Sequence, residues 1–236
     1  MYNICAFGDS VMKGVIEKDN PRSEADKYFI SMDSFVERCS KRLGLSVSNF
    51  ARFGGTVSQG MKLFDRHQEQ VRRSQFSIIE YGGNDCSFKW SEIAENPDFP
   101  HRSLTVLTEF KSQYSCLLDK IISKGAKPLM LSLPMLHAER YFRFISRGLN
   151  EANILKWLGG DVAYIDHWHQ MYNMAIFSLA SKKRVPVIDI TSVFLAKRDY
   201  RNFFCRDGIH PNERGHSLIA DTICDYISSN RDYFYT

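Results

Sequence analysis

No stretch of this chain is apolar for long enough to span a bilayer, and its first residues carry neither a charged leader nor an apolar signal core. Close cysteine pairs are also missing: Cys5, Cys39, Cys86, Cys116, Cys205 and Cys224 lie far apart in sequence, which leaves zinc-ribbon and CxxC redox motifs without support. Free thiols and no leader together predict a cytoplasmic protein that does not engage membranes. There is no Pro/Gly-rich linker, low-complexity tract or internal repeat to divide the 236 residues, so one domain over residues 1–236 is expected. Charge of one sign is not in excess either. Lysine and arginine total 31 against 27 acidic residues, and the densest basic run, Lys182, Lys183 and Arg184, ends a predicted helix, where cations complement the dipole. Without a second basic cluster, no nucleic-acid partner is expected. Hydrophobic residues at 44% and charged residues at 25% instead match an ordinary globular domain with a buried core.

What is present is an alternation of short apolar runs with longer segments of helical period, the pattern of a parallel sheet wrapped by helices. Strands are predicted at Asn3 to Phe7, Ser46 to Phe50, Phe76 to Tyr81, Pro128 to Leu133 and Val185 to Ile190. Helices are predicted at Met32 to Leu43, Val57 to Arg73, Thr105 to Ser123, Val162 to Lys183 and from near Asn212 to about Ser229. The fold class is α/β. Two long segments, Lys13 to about Tyr28 and Cys86 to Ser103, follow strand C-terminal ends, the edge at which open parallel sheets bind ligands.

Four of these strand ends and loops bear chemistry. The first strand runs into Gly8-Asp9-Ser10, delivering a hydroxyl to that edge. Near the other end, Asp207-Gly208-Ile209-His210 has the spacing at which a carboxylate can reach imidazole Nδ1 and leave Nε2 free to take a proton. Gly54-Gly55 after the second strand and Asn84 in Gly82-Gly83-Asn84-Asp85 after the third offer donors for an oxyanion. Taken singly, each has an ordinary structural alternative: a helix cap, a satisfied Asp–His pair or a plain turn.

Together and in this order, the four segments resemble the SGNH (GDSL-like) hydrolase family, over residues 4 to about 220. The resemblance implies a three-layer α/β/α sandwich around a flavodoxin-like, five-stranded parallel sheet of order 2-1-3-4-5. It also implies a Ser10, His210 and Asp207 triad, with an oxyanion hole formed by Ser10, Gly54 and Asn84. Gly54 is preferred to Gly55 for its spacing from Asn49. The implied activity is ester hydrolysis through an acyl-enzyme, without cofactor or metal, on a small-molecule acyl ester. A short-chain or carbohydrate-linked ester is expected because no long apolar lid is evident. The same family scaffold serves thioesterases and acyltransferases, and a catalytically silent binding module is the alternative from another class. A nucleophile at position 10 would also be discarded with any leader of ordinary length.

Other candidates read as structural. Asp9 and Asp85 are expected to bond neighbouring backbone N–H groups. His167 and His169, two apart on a helix, point to different faces and are not expected to share a metal. Trp90, Trp157 and Trp168 are expected near the cleft. Cys86 and Cys205 read as packing residues.

Overall fold

The computed structural model describes residues 2–235. Among the described residues seven strands occur: β1 (Asn3–Gly8), β2 (Val15–Glu17), β3 (Tyr28–Ile30), β4 (Ser46–Asn49), β5 (Phe76–Glu80), β6 (Lys127–Leu131) and β7 (Val187–Ile188). The main sheet is five-stranded and parallel, in the order β4-β1-β5-β6-β7, which is 2-1-3-4-5 when its own strands are counted. Helices cover both faces, giving the expected three layers.

Strands buried on both faces divide their side chains between two cores. Phe7, Ile79 and Met130 pack with Leu117, Ile121, Tyr172 and Ile176 from the helices Leu107–Ser123 and Tyr164–Lys183. Their neighbours Ala6, Leu129 and Leu131 turn to the opposite face, against Phe35, Ile219 and Ile223 from the helices Phe35–Leu43 and Glu213–Ser229. Each large aliphatic or aromatic side chain so buried contributes about 1.5–3 kcal/mol relative to exposure. A third cluster, with Phe88, Ile93, Phe142, Ile154 and Ile165, lies outside these two cores and ties together the helices Trp90–Glu95, Ala138–Ile145 and Glu151–Trp157.

Several boundaries differ from the sequence reading. The helix predicted from Met32 begins at Phe35, where Ser34 caps it by accepting from the Glu37 N–H. The helix predicted over Val57 to Arg73 is two, Val57–Arg66 and Gln68–Arg72, parted at His67, whose ring stacks on Phe50 at 3.9 Å. The last strand is only Val187–Ile188, because the next N–H groups turn away from the ladder. Ile190 and Thr191 donate to Ser132 Oγ, and Thr191 and Ser192 to Asp189 Oδ1. The long segment after β1 is not a plain loop, since β2 and β3 pair within it as an antiparallel hairpin. Among the described residues, no helix is long and apolar enough to cross a membrane.

Candidate active site

The β1 chain must turn sharply at its end. A side chain at Gly8 would put its Cβ 2.4 Å from Met12 Cβ and 2.8 Å from the Glu80 carbonyl oxygen, so only glycine fits. Asp9 then caps the short helix Ser10–Lys13, its Oδ1 accepting from the Val11 N–H at 2.8 Å. Ser10 is the first residue of that helix, where a backbone N–H has no acceptor within the helix.

Asp207 and His210 are built into a tight loop closed by the Phe204↔Pro211 bridge and followed by the helix Glu213–Ser229, which Asn212 caps through Gly215 N. Gly208, at φ 79°, occupies the left-handed region, and a Cβ there would lie 2.7 Å from the His137 carbonyl oxygen. Asp207 Oδ1 accepts from the N–H groups of Ile209 at 3.0 Å and His210 at 3.1 Å. Its Oδ2 faces His210 Nδ1 at 2.6 Å, and His210 Nε2 faces Ser10 Oγ at 2.9 Å. Burial works to raise the Asp207 pKa, but the donors from the His210 ring and backbone and from Ile209 outweigh it, and the net shift is downward. The carboxylate is therefore held ionised, an arrangement that fixes an N–H on His210 Nδ1 and leaves Nε2 able to accept the serine proton.

Two groups that the sequence reading did not single out support Asp207. Tyr28, on β3, donates its hydroxyl to Asp207 Oδ2 at 3.0 Å, and Glu17, on β2, accepts from the Asp207 N–H at 2.9 Å. The Tyr28 and Phe53 rings lie 5.1 and 5.8 Å from the His210 ring. The only sequence signal for this was the length of the segment after β1.

Asn84 donates Nδ2 to Asp9 Oδ2 at 2.9 Å, which links the third predicted segment to the first. Gly54 follows Phe53 on an exposed turn at φ 67°, with open space around its α-carbon. Gly55 is buried, and its N–H donates to the Arg52 carbonyl at 3.1 Å. Asp85 accepts from the Val57 N–H with both oxygens, at 3.1 and 3.2 Å, and burial pushes its pKa up to about 7. Asp9 thus bonds a neighbouring backbone N–H, as expected, whereas the N–H that Asp85 meets comes from Val57, 28 positions away.

A cleft opens beside Ser10, His210 and Asn84, walled by Phe88, Trp90, Tyr141, Trp157 and Trp168. All three tryptophans reach it, and Trp168 is fixed by donating Nε1 to the Cys86 carbonyl at 2.9 Å. His169 also lines it, kept neutral by burial with a pKa lowered to about 4, whereas His167 is exposed. Among the described residues, no group of three His, Cys, Asp or Glu side chains could hold a metal.

The profile of the GDSL-like lipase/acylhydrolase family matches residues 6–218. An uncharacterized protein of Bacillus subtilis, YpmR, is 25% identical over 225 residues, covering 93% of this chain and 79% of its own. The crystal structure of a lipase/acylhydrolase from Enterococcus faecalis superposes with a TM-score of 0.67 at 17% identity, covering 97% of this chain and 96% of that one. The psychrotrophic esterase EstA from Pseudoalteromonas sp., solved in a form inhibited by monoethylphosphonate, superposes at 0.61 with 13% identity, covering 97% and 98%.

Proposed function

Since this chain belongs to the GDSL-like lipase/acylhydrolase family and is one of its carboxylic ester hydrolases, we propose that it works through an acyl-enzyme on Ser10. The observation that carries this reading is the unbroken chain from Asp207 Oδ2 through His210 to Ser10 Oγ, with links of 2.6 and 2.9 Å. His210 Nε2 takes the Ser10 proton as Oγ attacks the acyl carbon, then returns it to the departing alkoxide. Asp207 remains ionised and stabilises the imidazolium. Water, activated by the same nitrogen, then releases the acid and regenerates Ser10.

The negative oxygen of each tetrahedral intermediate is assigned to the Ser10 N–H, the Gly54 N–H and the Asn84 side chain. Gly54 is chosen over Gly55 because the Gly55 N–H is already committed to Arg52. Short-chain or carbohydrate-linked acyl esters are the proposed substrates. The aromatic walls from Trp90, Trp157 and Trp168 offer apolar faces on which a sugar ring can rest. Hydrolysis of a panel of p-nitrophenyl esters of increasing acyl length, beside acetylated sugars, tests this. Higher kcat/KM for acetyl and sugar esters is expected, and a steady rise toward long acyl chains would overturn the substrate assignment.

A further inference from the structure

β5 is apolar but for Ser77 and Glu80, and Glu80 pairs in register with Gly8, which sets a carboxyl group directly beneath the Asp9 turn. Both acids are out of water, Glu80 at 1% exposure and Asp9 at 3%. Their carboxyl groups interact across this turn, with the strand register bringing Glu80 beside Gly8 and Asp9. Two carboxylates so placed cannot both be ionised, and a hydrogen bond between them requires one proton.

The surrounding donors decide which acid holds it. Asp9 accepts from the Val11 N–H on Oδ1 and from Asn84 Nδ2 on Oδ2. Glu80 Oε2 is buried with no partner as long as it can only accept. The backbone N–H groups of Asp9 and Met12 also reach the Glu80 carboxyl, but only Asp9 has both oxygens met by donors; negative charge is favoured there, and a proton on Glu80 converts its unpartnered Oε2 into a donor. Burial, and next to it the Asp9 charge, push the Glu80 pKa well above the carboxylate range. The other titratable groups facing the pair are Tyr81, Asp85, Cys86, Tyr114 and His210.

We propose that Glu80 is a positioning residue, kept as a neutral carboxylic acid whose O–H donates to Asp9 and so holds Asp9 as a pure acceptor that orients the Asn84 amide. The consequence lies in the amide's two ends. An ionised Asp9 can receive only Nδ2 of Asn84, whereas a protonated Asp9 could donate to Oδ1 and let the amide turn an acceptor toward the oxyanion. The use made of that amide rests on the Ser10 hydrolase reading; the proton on Glu80 does not.

Infrared spectroscopy of the full chain at neutral pH, with ¹³C-carboxyl glutamate or aspartate incorporated, tests the proton directly. The protonated-carboxyl C=O band that vanishes in Glu80→Gln should shift with labelled glutamate and stay put with labelled aspartate; the Asp85 carboxyl, with a pKa of about 7, gives a separate band that follows the aspartate label and persists in Glu80→Gln. In kinetics, Glu80→Leu should lose at least about tenfold in kcat with KM little changed. Glu80→Gln, which still offers Asp9 an N–H, should recover most of that loss. Absence of a Glu80-dependent band, a Glu80-dependent band that follows the aspartate label, or Leu and Gln variants that fold alike and turn over alike would overturn the proposal. If Glu80→Leu does not fold, the band and its label dependence decide alone. Failure of the underlying hydrolase reading would show separately, as Ser10→Ala retaining activity while the infrared result stands.

Discussion

The Tyr28 hydroxyl donates to Asp207 Oδ2 at 3.0 Å, the same oxygen that faces His210 Nδ1. The hairpin after β1 therefore shares in setting the orientation of the proposed base. A hydrogen bond to a charged group contributes about 1.5–3 kcal/mol. Tyr28→Phe keeps the ring against His210 but removes that donor. A fall in kcat of about tenfold or more is expected, with KM and Tm changed little; steady-state kinetics and a melting curve on one preparation check it.

Ser10→Ala removes one hydroxyl at the start of a helix that Asp9 still caps. The fold should persist while ester hydrolysis drops to near background, and a fluorophosphonate probe should label Ser10 in the wild type alone. A folded variant with more than about a tenth of wild-type kcat would remove Ser10 from the mechanism.

Truncating Asn84 separates an oxyanion donor from a turn residue. Loss of one such donor costs about 10²–10³ in kcat, or about 2.7–4 kcal/mol of barrier, and Asn84→Ala should fall in that range with KM nearly unchanged. Asn84→Asp should be at least as damaging, because it also brings a carboxylate to Asp9. A drop in Tm without a drop in kcat would assign Asn84 to structure alone.

His169 gives the protein a component of acid sensitivity. Its pKa falls from 6.5 to about 4 through burial, so the unfolded chain binds a proton between those values that the folded chain does not. The stability it confers is fully present above pH 6.5 and is lost as pH drops through about 4. Asp85, raised to about 7, acts oppositely: its contribution is present below 3.8 and lost as pH rises through about 7. Comparing His169→Leu with the wild type isolates the histidine. The difference in Tm between pH 7 and pH 4 should be smaller in the variant, and an unchanged difference would show that His169 is protonated in the folded protein.

Cys39 and Cys224 approach closest among the thiols, with Sγ atoms 3.8 Å apart, well beyond the about 2.05 Å of a disulfide. All six cysteines are free. Alkylation under denaturing conditions without reductant should count six thiols, and four would reveal a bridge.

The sequence by itself determined the sheet and its chemistry-bearing ends. β1, β5 and β6 were legible because strands buried on both faces are largely apolar, whereas the edge strand β4 is mostly exposed and mixed; Gly8, Ser10, Asn84, Asp207 and His210 stand where strands or a helix cap interrupt the pattern. Spacing alone also brought Asp207 to His210, three residues on in the same turn. Tertiary structure decided what depends on distant segments. β2 and β3 are three residues each, too short to show a period, and their pairing is what carries Tyr28 to Asp207, 179 positions away in sequence. The proposed choice of Gly54 over Gly55 as oxyanion donor rests on which N–H the Arg52 carbonyl occupies, a matter of turn geometry rather than residue type. Glu80 went unremarked within the strand Phe76 to Tyr81, and its partner is fixed only when β1 and β5 lie in register, because a strand specifies which faces its side chains take and not which residue of its neighbour they meet.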